Sequence, residues 1–366
     1  MSRRRPACGS RARRESCPSG HHSQLKEGAT YPCLVNGGVE RRLRGLGRRG
    51  RRAVVAAVVR REEQVCGCWF PRAEPVDRTS LFEIGSITKA FTGVLLADMV
   101  LSGDIALEDP LSRHLSNRRP AWRDREPTLL ELATHRSGLP NTPGPMNRRE
   151  LLYAMGFGAA DPWARLTPKD YERLVAKESP RRAPGERVRY SSLAVGLLGD
   201  ALAARAGTTY GELLAERVLQ PLGMRATSVQ PPPALARQVV SGHSRRGRPR
   251  PPIKDLMPAA GSLRSNAEDM LRFLWACLHP PAKAPGPALA LAQRPHARIG
   301  RRGEVGLCWM IANGRGHPRV IWHNGGTWGF RSFAAFAPQT ATAVVVLSNN
   351  TRSVDRLGLQ LVENKP

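Results

Sequence analysis

The sequence predicts an α/β (α+β) protein: an antiparallel sheet drawn from both chain ends, flanked by helices, with a mostly helical region inserted. Three observations predict it. Two apolar runs lie together at 53–70, strand-like runs recur between 304 and 348, and apolar residues at helical spacing fill the middle. The 366 residues suit one large domain or two intimate ones. With 41 % apolar and 24 % charged residues, a packed core is available and wholesale disorder is excluded.

Residues 1–36 show little periodicity and many Arg, Ser, Gly and Pro, and are read as a basic tail. Residues 38–50 read as a short basic helix interrupted by Gly45, Gly47 and Gly50. AVVAAVVRREEQVCGCWF (53–70) has two apolar runs around a charged turn, a β-hairpin pattern. ITKAFTGVLLADMVLS (87–102) is helical, with Ser86 in N-cap position and Gly103 as the stop. Leu129–Thr134, 191–206, 209–220 and Met270–Leu278 read as further helices, while 246–254 and 280–288 read as Pro-rich connections. Runs at 304–311, 319–323, 330–337 and 341–348 read as strands, and a last helix follows. The expected division is 37–115 with 255–366 for the sheet region, and 116–254 for the helical one.

A formal charge of +27 raises nucleic acid or a membrane surface as partner. The basic residues are 50 Arg and 7 Lys, spread through every segment, and residues 1–52 alone carry +11. No aromatic-interleaved basic strand and no finger spacing accompanies them, so nucleic acid is not expected. A composition bias with a basic tail is favoured, and a non-catalytic or polyanion-binding protein remains the alternative of a different class. No apolar run reaches the roughly 18–20 residues of a membrane helix. No apolar stretch follows the basic start, so no secretory signal is visible; a cytoplasmic protein is expected, or an exported one if the native start differs. The seven Cys read as buried or half-buried thiols, since Cys66 and Cys68 are not spaced like a zinc knuckle. The GxGxxG at 45–50 precedes its strand, where a dinucleotide cradle requires the reverse, and there is no HExxH or GxSxG.

Ser86-Ile87-Thr88-Lys89 is an S-x-x-K at a helix start. Residues three apart share a helix face, and the positive helix end favours a developing alkoxide. The chain uses Arg about seven times as often as Lys, yet position 89 is Lys. An Arg cannot give up its proton, so a Lys here is what proton transfer demands. Tyr190-Ser191-Ser192 heads the apolar helix at 193–206; a Tyr there can take a proton from a nucleophile and return it, or simply pack. His323-Asn324-Gly325-Gly326 follows a strand, and its glycine N–H groups can line an oxyanion site, or form an ordinary loop.

The order and spacing of these three boxes resemble the serine β-lactamase and penicillin-binding-protein family, nearest to class C β-lactamases, D,D-carboxypeptidases and related esterases. The phrases carrying the resemblance are FEIGSITKAFTGVLLADMVLSGDIALEDPL (82–111), LLELATHRSGLP (129–140), YGELLAERVLQPLGM (210–224), AAGSLRSNAEDMLRF (259–273) and WHNGGTWGFRSF (322–333). It covers about 53–350 and implies a β-lactamase/D,D-peptidase-like fold forming one catalytic domain. It implies Ser86 as nucleophile, Lys89 as its proton partner, and Tyr190 sharing the base work and protonating the leaving group. It further implies His323 in the third box, aiding substrate anchoring, and an oxyanion hole from the N–H groups of Ser86 and Gly326, beside Gly325. The substrate would be a small molecule or short peptide: a β-lactam, a D-amino-acid peptide or an ester. No metal or organic cofactor is needed for that chemistry. One departure stands in the second box, usually Tyr-x-Asn, where this chain has Ser192; its single hydroxyl grips an amide less well than a carboxamide. Carboxylesterase or amide-hydrolase activity with little β-lactamase action is the alternative within the family.

Overall fold

The computed structural model describes Val39, Leu43 and residues 53–363, apart from 62, 71–74, 116–119, 123–124, 145–149, 151, 154–162, 181, 302 and 315–317. The expected tail at 1–36 lies outside the described residues, as does most of the basic helix at 38–50. Val39 and Leu43 are helical and buried.

Twelve strands are described: β1 (Val54–Arg60), β2 (Glu63–Trp69), β3 (Phe82–Glu83), β4 (Gly242–His243), β5 (Pro249–Arg250), β6 (Arg264–Ser265), β7 (Ala297–Ile299), β8 (Gly303–Val305), β9 (Met310–Ala312), β10 (Val320–Gly326), β11 (Arg331–Ala337) and β12 (Thr342–Ser348). Eight of them form one sheet in the order β2-β1-β12-β11-β10-β9-β8-β7. Every pairing in it is antiparallel, and β1 meets β12 with Val54 opposite Ser348. The two ends of the sequence thus share one sheet, as its apolar runs predict.

Side chains alternate across a strand. Val55, Ala57, Val59, Val345, Leu347 and Phe336 face the larger core, beneath the helices. Val54, Ala56, Val58, Val344, Val346 and Phe333 face a smaller core closed by the C-terminal helix. Both faces are covered, which explains runs as unbroken as AVVAAVV.

The helices are α1 (Thr88–Leu101), α2 (Leu129–Ala133), α3 (Pro168–Ala176), α4 (Ser192–Ala206), α5 (Tyr210–Leu214), α6 (Pro258–Gly261), α7 (Ala267–Leu278), α8 (Gly286–Ala292) and α9 (Asp355–Val362). Helix α1 is buried at every position from Thr88 to Met99, so its apolar residues run all round it. It stops in a Schellman turn: Gly103 N–H donates to Val100 O at 3.1 Å and Asp104 N–H to Met99 O at 2.9 Å. Thr128 starts α2 with a capping box closed by Glu131. No described helix is long and apolar enough to cross a membrane.

Three local readings are corrected. The run at 304–311 is not one strand but the ends of β8 and β9 with a turn between them. The N–H groups of Leu307 and Cys308 are taken by Ala292 O and Ala133 O at 2.9 and 3.0 Å, which pulls the chain out of the sheet. The connection at 280–288 already contains the start of α8, and the one at 246–254 contains β5, paired with β4.

Candidate active site

Short β3 pairs with β6, Phe82 opposite Ser265, and delivers the chain into a single 3-10 turn, Gly85–Ile87. Gly85 has φ of 53°, a left-handed conformation that glycine takes without strain. Ser86 lies in this turn and does not cap α1: Ile87 is the N-cap residue and no side chain caps it. The expected cap is therefore corrected, and its absence leaves the Ser86 hydroxyl to another partner. Lys89 Nζ donates to Ser86 Oγ at 3.0 Å and to Ala260 O at 2.6 Å. Lys89 is wholly buried. The nitrogen so enclosed is held in one place by the serine, the α6 carbonyl and the Tyr190 ring, whose centroid is 5.0 Å from Nζ.

Tyr190, half-buried, immediately precedes the cap of α4. That cap is Ser191, whose Oγ accepts from Ala194 N–H at 3.0 Å and donates to Pro140 O at 2.6 Å. Ser192 opens the helix, and its N–H donates to Asn141 Oδ1 at 3.1 Å.

The third box is not a loop after a strand. β10 runs on through His323, Asn324, Gly325 and Gly326, with Gly325 opposite Ser332 and Gly326 opposite Arg331 on β11. The reason is steric and local. A Cβ on Gly325 would stand 1.9 Å from Ile84 O, so only glycine lets the strand pass beneath the Ser86 turn. Ser332 Oγ donates to the same carbonyl at 2.7 Å and ties turn to strand. Alternation puts Asn324 on the opposite face, where its Nδ2 donates to Asp355 Oδ2 at 3.1 Å. His323 is buried, and its Nδ1 lies 2.6 Å from Asn324 O. A carbonyl only accepts, so Nδ1 carries the proton and the Nε2 lone pair is left without a partner. Burial, with the charge of Lys89, pushes the His323 pKa down to about 3, so the ring stays neutral.

Two clefts open beside Ser86. One, of about 310 Å³, is bordered by Asn141, Ser192, Trp163, Trp328 and Arg331; the other, of about 570 Å³, by Tyr190, His323, Asn324 and Arg331. Gly326 borders both. The structure thus brings Ser86, Lys89, Tyr190, Ser192, His323, Gly325 and Gly326 into one place from three separate stretches of chain.

Two residues at the site escaped the sequence reading. His135 is fully buried and its ring lies against Tyr190, centroids 4.6 Å apart. Asn141 brings a carboxamide alongside Ser192. Both stand in or next to LLELATHRSGLP (129–140), a stretch that displays no spacing rule for proton transfer or amide recognition.

A family model described as Beta-lactamase matches residues 39–362. The chain is 30 % identical over 314 residues to the D-alanyl-D-alanine-carboxypeptidase/endopeptidase AmpH of Escherichia coli (strain K12), covering 78 % of each protein. It is 27 % identical over 313 residues to a beta-lactamase of the same strain, covering 76 % of this chain and 78 % of that one. A Yersinia enterocolitica beta-lactamase is 24 % identical over 312 residues, 75 % of each. With its sheet, its S-x-x-K turn and this match along most of its length, the chain belongs to the beta-lactamase family.

Proposed function

We propose that the protein is a serine hydrolase that acylates Ser86 with a lactam, amide or ester and then hydrolyses the acyl-enzyme. The observation that carries this reading is the Lys89 side-chain nitrogen, buried and 3.0 Å from Ser86 Oγ. Ser86 Oγ attacks the carbonyl carbon while its proton passes to Lys89, acting as a neutral amine, which later returns a proton to Tyr190. The negative oxygen that forms is met by the N–H groups of Ser86 and Gly326, which reach it in a confined site. Tyr190 O–H then protonates the departing nitrogen or oxygen, and the C–N or C–O bond breaks. Water repeats the sequence on the ester, and Ser86 recovers its proton. The neutral His323 holds the substrate from the sheet side without adding a second cation beside Lys89.

A second reading, a carboxylesterase or amide hydrolase with little β-lactamase action, is favoured by Ser192 standing where an Asn side chain is usual. Incubation with a chromogenic cephalosporin, nitrophenyl butyrate and a fluorescent penicillin, beside Ser86→Ala, tests both. Turnover or labelling that vanishes in Ser86→Ala is expected. Turnover of the ester alone selects the second reading, and hydrolysis that persists in Ser86→Ala overturns both.

A further inference from the structure

His135 makes three contacts that converge on a single neighbour. Its carbonyl accepts from Arg189 N–H at 2.7 Å, and its side-chain Nδ1 accepts from Ser191 N–H at 3.3 Å. Those two amides flank Tyr190 on either side. The imidazole itself lies against the Tyr190 ring, with centroids 4.6 Å apart and planes at 41°. One residue therefore grips the main chain before Tyr190, the main chain after it, and the ring between.

The backbone of His135 is adapted to this. Its φ is 57°, a left-handed conformation that a non-glycine residue adopts only at a cost in strain. The turn presents its carbonyl and its side chain to the same segment. The choice of side chain is as telling. An amide N–H only donates, so Nδ1 must be unprotonated and the proton sits on Nε2. That Nε2–H is buried and has no partner. A phenyl ring would fill the slot without stranding a polar group, and packing alone gives no reason for an imidazole. The acceptor at Nδ1 does give one. Burial, reinforced by Lys89 and His323, pushes the His135 pKa down to about 3, so Nδ1 remains an acceptor at neutral pH.

We propose that His135 is a positioning residue for Tyr190, setting both the place and the tilt of the phenol for proton transfer. The proposal rests on the reading of Tyr190 as the group that handles the leaving-group proton. It predicts that loss of the Nδ1 acceptor lowers kcat and leaves KM nearly alone, since Tyr190 moves while the binding clefts stay.

The test is a double-mutant cycle on the full chain, with nitrophenyl butyrate or whichever substrate shows Ser86-dependent turnover. His135→Phe keeps a flat ring and removes the acceptor; His135→Asn keeps an acceptor at the place of Nδ1. The expected result is a kcat about 10–100-fold lower in His135→Phe, KM within about 2-fold, and most of the loss recovered in His135→Asn. In a Tyr190→Phe background the same His135→Phe change should cost less than about 2-fold, because its target is gone. His135→Leu, also without an acceptor, replaces the Phe variant should that not fold. An unchanged kcat, or losses that multiply across the cycle, overturns the proposal. Activity that survives Ser86→Ala overturns instead the hydrolase reading beneath it, so the two failures are told apart.

Discussion

Gly85 and Gly326 meet backbone to backbone: a Cβ on Gly85 would stand 2.6 Å from the Gly326 nitrogen. One glycine precedes the serine, and the other borders both clefts beside it. Their approach is what sets the serine turn against the edge of β10. Gly325 makes the neighbouring approach to Ile84 O. Gly325→Ala is accordingly expected to destabilise the fold by roughly 1–3 kcal/mol through overpacking and to abolish Ser86 labelling. Thermal melting and fluorescent-penicillin labelling check the two effects separately.

Lys89→Arg is the sharpest test of proton transfer, because it keeps a basic side chain and removes one that can give up its proton. The Nζ slot is closed by Ser86 Oγ and Ala260 O. Loss of turnover by about 10²–10⁴-fold is expected, with far-ultraviolet circular dichroism unchanged. Activity within a few-fold of wild type would show that Lys89 is not the proton partner.

The cleft carboxamide comes from Asn141 and not from the second box. A neutral hydrogen bond is worth about 0.5–1.5 kcal/mol, so Asn141→Ala should lower turnover of an amide or lactam by roughly 3–10-fold. Turnover of a nitrophenyl ester, which lacks the amide, should fall less. Ser192→Asn is expected to shift the same ratio the other way. The ratio of amide to ester kcat/KM is the measurement.

Two neutral, buried histidines imply a stability that depends on pH. The folded pKa values of His135 and His323 lie at about 3, below the ordinary 6.5 that the unfolded chain keeps. Between those values the unfolded chain binds protons that the folded one refuses. Their contribution is therefore complete above about pH 6.5 and is lost as pH falls toward 3. Each histidine adds a slope approaching about 1.4 kcal/mol per pH unit. Urea midpoints measured from pH 7 to 4.5 should fall, and His323→Gln should flatten the slope. Equal slopes in the two proteins would contradict it.

Much of the fold was legible because its central strands are buried on both faces. AVVAAVV at 53–59 has no polar residue to spoil the pattern, and α1 is apolar all round for the same reason. The Gly-rich β10 was read as ending at His323 because glycine signals a turn, whereas here it relieves a steric conflict with Ile84, a residue far away in sequence. Ser86 was misplaced as a cap on similar grounds: an N-terminal serine is ordinarily bound to its own helix, and here a lysine claims it. Lys89 was legible through its spacing from Ser86 and through the scarcity of Lys in an Arg-rich chain. His135 was not, since nothing local distinguishes a histidine that holds a distant tyrosine from one that merely packs.

The pairing of β1 with β12 has a consequence for how the protein comes into being. Ala53 N–H donates to Asn349 Oδ1 across 296 positions, and Ser332 reaches back 248 positions to Ile84. Contacts this distant are slow to form and leave apolar edges uncovered in the meantime. On the ribosome the turn that carries Ser86 is made early and waits for the strands that complete its surroundings. Proteolytic loss of the last three strands would remove His323, Gly325 and Gly326 from beside Ser86, so any Ser86-dependent turnover would report that the chain had been made through β12.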